Sequence, residues 1–153
     1  MHTLLAPLLE KAVTEFFTEI GETSIIPQAT ARSDTPVDLF ILIGFTGQFK
    51  GFLTFTTCRQ TAENLSRQLH EHMEMPFTPS PTAVKSAMGE LVNMLAGKLI
   101  TRLDEQNISC NITPPTIFLG TDLKNDYADL ETCSSMDITG KFGRFRLDFA
   151  LKT

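Results

Sequence analysis

The sequence predicts an α+β fold: a mainly antiparallel sheet covered on one face by about three helices. Strand-like runs are joined by short glycine-containing turns, as in Phe45-Thr46-Gly47-Gln48-Phe49, and short turns force antiparallel pairing. Three further segments repeat apolar residues at three- and four-residue spacing, so each has one stripe to bury against a sheet or another helix. At 153 residues the chain is sized for one hydrophobic core, and residues 1–153 are read as a single domain.

Leu5, Leu9, Val13, Phe16, Phe17 and Ile20 form the stripe of a first helix ending near Gly21. Ser24 to Ala31 reads as a weak strand interrupted by Pro27. Val37 to Phe45 is a strong one, apolar at nearly every position, as in a strand central in a sheet or covered on both faces. In the strand that follows, Phe49, Gly51, Leu53 and Phe55 take one face and Lys50, Phe52, Thr54 and Thr56 the other. Thr61 to Met73 is a short helix with Ala62, Leu65, Leu69 and Met73 inward. Met73 and Met75, beside Pro76, are also candidates for a contact surface.

Ser80-Pro81 starts the longest helix, with a capping hydroxyl followed by a proline whose missing N–H costs nothing at the first helical position. That helix runs to about Glu105, and Asn107 is suited to a left-handed stop. Ile108, Cys110 and Ile112 then alternate with Ser109 and Asn111, Pro114 and Pro115 interrupt, and Thr116 to Leu119 resumes extended. Tyr127 to Met136 is a further strand, and Thr139 to Gly143 is the turn into the last one. There Phe145, Leu147, Phe149 and Leu151 alternate with Arg144, Arg146, Asp148 and Lys152, one face apolar and the other charged.

Thirteen Lys and Arg against eighteen Asp and Glu give a net charge of −5. No basic run exists to neutralise phosphates, which argues against nucleic acid and against an anionic membrane surface. The seven-residue apolar run Leu39 to Phe45 is too short to span a bilayer, and the N-terminal residues lack a basic leader, so the expected location is the cytoplasm. Cys58, Cys110 and Cys133 are widely spaced and read as reduced thiols. No metal site is expected. His70 and His72 are two apart and point to different helix faces, while Asp122, Asp126 and Asp129 lack the spacing of a calcium loop. Gly44, Gly47 and Gly51 fit no phosphate-binding glycine motif, and nothing supports a nucleophilic triad.

The informative residues lie on the longest helix. With Ser86 at zero and about 100° per residue, Glu90, Asn93 and Gly97 all fall within about 40° of it. Val84, Met88, Leu91, Val92, Leu95, Leu99 and Leu103 occupy the opposite arc, the core face. Two readings of the stripe stand open on these residues alone. It is a solvated face, or it presents a carboxylate and an amide one turn apart to a docked partner, with Gly97 allowing close approach.

The segment Ser86-Ala-Met-Gly-Glu90-Leu-Val-Asn93-Met-Leu-Ala-Gly97, followed by Pro114-Pro115, resembles the signature of the CheC/CheX/FliY family of chemotaxis response-regulator phosphatases. That signature is an Asp or Ser, three residues, Glu, two residues, Asn, and a Pro a little over twenty residues on. Ser86, Glu90 and Asn93 match it position for position, and Pro115 stands one residue closer than the usual spacing. The resemblance implies a phosphatase that removes the aspartyl phosphate of a CheY-like response regulator without a covalent intermediate. On it, Asn93 orients the attacking water, Glu90 pairs with a lysine of the receiver, Ser86 and Gly97 support the contact, and Pro115 is structural. The Mg2+ belongs to the receiver, and this chain binds no cofactor of its own.

The first helix has Val13 three residues after Glu10, where a second copy of the motif would need Asn. The implied type is therefore CheX-like, with one active centre per chain and a homodimer built by sheet pairing; the strand bearing Arg144, Arg146 and Asp148 is one candidate edge. The alternative is a non-catalytic, CheC-like adaptor that binds a receiver or a receptor-modifying enzyme without hydrolysis. A third reading, a small-ligand sensor, would need a large apolar cleft away from the long helix.

Overall fold

The structure is a computed structural model describing residues 2–28, 36–123 and 131–151. In chain order the elements are α1 (His2–Glu19), β1 (Ile26–Gln28), β2 (Leu39–Gly47), β3 (Gly51–Thr57), α2 (Arg59–His72), α3 (Pro81–Glu105), β4 (Cys110–Ile112), β5 (Thr116–Leu119), β6 (Glu131–Gly140) and β7 (Gly143–Leu151). The strands form one sheet in the order β1-β6-β7-β3-β2-β4, with β5 also on β2, and every pairing is antiparallel.

The register lines up one apolar face across the sheet. Ile41 stands opposite Phe55, Phe55 opposite Leu147, and Leu147 opposite Met136. One row along, Ile43, Leu53 and Phe149 are opposed in the same way. All these side chains are buried in one cluster with the stripes of α1, α2 and α3. Aromatic rings fill its centre: Phe55 and Phe145 stack at 4.6 Å, and Phe17 lies 5.5 Å from Phe145. The three helices therefore cover a single face, as the alternating strand pattern requires.

α3 lies against the other two helices and against β2, β4 and β5. Lys98 pairs with Glu19 at 2.5 Å, and Arg102 pairs with Glu15 and, at 3.0 Å, with Glu105, tying the second half of α3 to α1. No helix among the described residues is long and apolar enough to cross a membrane.

Three expectations are corrected. β7 is not a sheet edge, because β6 and β3 flank it along its length. Its Arg144 and Arg146 instead pair with the buried Asp137 of β6 at 2.9 and 3.5 Å. Alternation of apolar and charged residues reveals the two faces of a strand, not whether its hydrogen-bonding sides are occupied. β6 extends past Met136 to Gly140, so the reversal is the tight Lys141-Phe142 turn, with Gly143 at φ 124°. Met73 is not inward: α2 ends at His72, and Met73 is 38% exposed. Phe77 packs back in its place, its ring 4.8 Å from that of His70. α2 lacks a cap of its own, since Cys58 makes no side-chain capping bond. Asp38 supplies it from the start of β2, accepting from Arg59 N–H at 2.9 Å and, through its other oxygen, from Asp122 N–H at 3.0 Å. The Ala31 end of the first weak strand, Tyr127, Asp126, Asp129 and Lys152 lie outside the described residues.

Candidate functional site

α3 forms where the sequence starts and stops it. Ser80 Oγ accepts from Ala83 N–H at 3.0 Å, Pro81 opens the helix, and beyond its end Asn107 takes φ 61°. Between these signals Val84, Met88, Leu91, Val92, Leu95, Leu99 and Leu103 are all buried. Ser86 and Glu90 are exposed, and Asn93 and Gly97 are partly exposed. The structure thus brings the four residues together on one outward stripe, opposite the core arc.

The stripe is uncommitted. Among the described residues, Ser86, Glu90 and Asn93 make no side-chain hydrogen bond or ion pair. At Gly97 an added Cβ would meet nothing within 4 Å, so no packing inside the molecule requires glycine there. A glycine in a helix interior costs about 1 kcal/mol relative to alanine, and in this case the cost is not offset within the chain.

Pro115 joins the site from a distance in sequence. It lies in the turn between β4 and β5, half-buried against α3, and its Cγ is 3.9 Å from where a Cβ on Gly89 would sit. Gly89 is buried and immediately precedes Glu90, and a Cβ there would come within 2.6 Å of Ile117 Cδ1. Sequence reading missed Gly89, together with Thr113 and Gly44, which bond to each other beneath the same turn. Asn93 is one helical turn beyond Gly89 on the same side of α3, which accounts for its lower exposure than that of Glu90.

The other sequence candidates lie elsewhere. His70 is fixed by Ser66 O at 3.0 Å and His72 is exposed. Cys58 and Cys110 are free thiols, the latter buried. No cluster of three or more potential metal ligands occurs among the described residues. A concavity of about 540 Å³ lies between the end of α1, α2 and the Lys141-Phe142 turn and is lined largely by polar side chains, including Arg67, Gln68 and Glu71. It is not the apolar cleft that a small-ligand sensor would need.

The family model described as chemotaxis phosphatase CheX matches residues 39–139, from β2 into β6 and including all of α3. A curated relative, the CheY-P phosphatase CheX of Thermotoga maritima, is 35% identical over 98 residues. That alignment covers 64% of this chain and 62% of the relative's length. Among solved structures, the chemotaxis protein CheX of Desulfovibrio desulfuricans superposes with a TM-score of 0.79 at 20% identity, covering 97% of this chain and 99% of the other. The CheX chain of a CheX-CheY-BeF3-Mg2+ complex from Borrelia burgdorferi gives 0.73 at 14% identity, with coverage of 96% and 97%. The structural likenesses establish the shared fold, and the match of the family model across well over half of the sequence establishes descent: the chain belongs to the CheX family of chemotaxis phosphatases.

Proposed function

We propose that this chain hydrolyses the aspartyl phosphate of a CheY-like response regulator, with Glu90 and Asn93 as its working pair. The observation that carries the reading is the uncommitted carboxylate and amide, one turn apart on the face of α3 that points away from the core. The Thermotoga maritima relative is named for this activity, and the Borrelia burgdorferi complex holds a CheX with a CheY.

An acyl phosphate on a receiver already has its Mg2+, so a phosphatase need supply only positioning and electrostatics. Asn93 accepts one hydrogen of a water through its carbonyl while its amide donates, holding that water in line with the phosphorus. The water oxygen bonds to phosphorus, the bond to the aspartyl oxygen breaks, and the products are the receiver carboxylate and inorganic phosphate. Glu90 pairs with a receiver lysine and fixes the docked orientation. Ser86 supports the contact one turn earlier, and Gly97 admits the partner's surface. No residue of this chain becomes covalently modified, and the chain binds no cofactor itself.

The protein acts in the cytoplasm as a homodimer joined through a sheet edge. Among the described residues, the edges of the sheet are β1 and the outer side of β4 and β5.

The test is phosphate release from a phosphorylated CheY-like receiver with Mg2+. Acceleration over the receiver's own decay, abolished in folded Asn93→Ala and Glu90→Ala, is the expected result. Binding without acceleration would replace this reading with the adaptor.

A further inference from the structure

We propose that the broken edge strand, clamped through Thr113 onto Gly44, is a positioning device that sets where α3 presents Asn93; in its catalytic consequence the proposal rests on the phosphatase reading above. β4 and β5 run along the same side of β2, with Ile112 paired to Phe45 and Thr116 paired to Leu42. Thr113, Pro114 and Pro115 therefore stand against only Ile43 and Gly44, the surplus residue of a bulge. Neither proline can donate to the ladder.

Thr113 closes the gap. Gly44 N–H donates to Thr113 Oγ1 at 2.9 Å, and Thr113 N–H donates to the Gly44 carbonyl at 2.9 Å. The approach is close enough that a Cβ on Gly44 would lie 3.2 Å from both Thr113 Cγ2 and Oγ1. With the start of the bulge fixed in this way, its far end meets α3: Pro115 and Ile117 border Gly89, where an added Cβ would lie 2.6 Å from Ile117 Cδ1. Gly89 is next to Glu90 in sequence and one turn from Asn93 on the same side of the helix. Contact is thus continuous from the β2 backbone through the bulge to the turn of α3 that carries the site. Removing the Thr113 hydroxyl leaves Gly44 N–H without its acceptor and lets the bulge, and the helix face resting on it, relax.

Thr113→Val keeps the side-chain shape without the acceptor, and Thr113→Ser keeps the acceptor. Each is compared with the wild-type chain by the kcat and KM of receiver dephosphorylation and by the position of the Asn93 side-chain amide in a 1H–15N NMR spectrum. In Thr113→Val, kcat is expected to fall about tenfold at nearly unchanged KM, short of the roughly hundredfold loss that a 1 Å misplacement brings. The Asn93 amide resonance shifts in the same variant, and Thr113→Ser restores both. Gly89→Ala, which disturbs the other end of the contact, shifts the same resonance. A Thr113→Val protein with wild-type kcat and an unmoved Asn93 resonance overturns the proposal, even if its Tm falls. A wild-type chain without phosphatase activity overturns the reaction instead, and the Asn93 resonance then decides the clamp by itself.

Discussion

Among the described residues, Asn93 and Glu90 face outward from α3 and make no side-chain hydrogen bond or ion pair. Asn93→Ala is therefore expected to abolish acceleration, a loss on the order of 100-fold, while Tm holds or rises because alanine is the better helix former. Steady-state kinetics paired with thermal denaturation checks this. Gly97→Ala separates folding from docking. With nothing within 4 Å of the new Cβ, it is expected to stabilise the helix by up to about 1 kcal/mol while raising KM for the phosphorylated receiver. An unchanged KM would remove Gly97 from the docking face. These residues were legible in the sequence because a helical face is a local property, computed from spacing alone. Gly89 was not, because its reason lies in Ile117, which follows it by twenty-eight positions in the sequence.

At the scale of elements, α2 shows where local reading ends. Its apolar stripe predicted the helix and the inward Leu65 and Leu69, but its first turn is capped from β2 by Asp38. Asp38→Ala is expected to cost about 1 kcal/mol, as for the loss of an N-cap, and to lower Tm by about 2–4 °C in a domain of this size. Calorimetry of the variant checks this, and a Tm within error of wild type would mean that water replaces the cap. Met73 marks the other end of the same helix. The apolar spacing continues one residue past the contact, and the loop sends Phe77 to the core instead. α3 was read with both its boundaries because each is set by its own neighbouring residues, Ser80-Pro81 and Asn107.

At the scale of the molecule, two carboxylates join parts distant in sequence, and both titrate below their ordinary range. The Ser24 hydroxyl holds Glu22 down, helped by the backbone N–H groups of Ser24 and Lys141 and opposed by burial. The backbone N–H of Asp122, then that of Arg59, lowers Asp38. A carboxylate with a depressed folded-state pKa contributes stability that is present above its unfolded value, near 4, and lost as pH falls through the folded value. Stability to urea should therefore hold from about pH 7 to pH 5 and fall below about pH 4, and Glu22→Gln should flatten that acid limb. A limb of equal steepness in the variant would assign the acid loss to other groups.

The sequence by itself determined the α+β class, the core stripes of the three helices apart from Met73, the limits of α3 and the outward stripe of Ser86, Glu90, Asn93 and Gly97. Each of these follows from periodicity or capping within a few residues. Only the tertiary structure decided that β7 is interior to the sheet, that Asp38 caps α2, and that Pro115 rests beside Gly89 on a bulge held by Thr113. These depend on which strand sides are paired and which surfaces meet. Such contacts join residues as far apart as Gly44 and Thr113, so no local spacing encodes them.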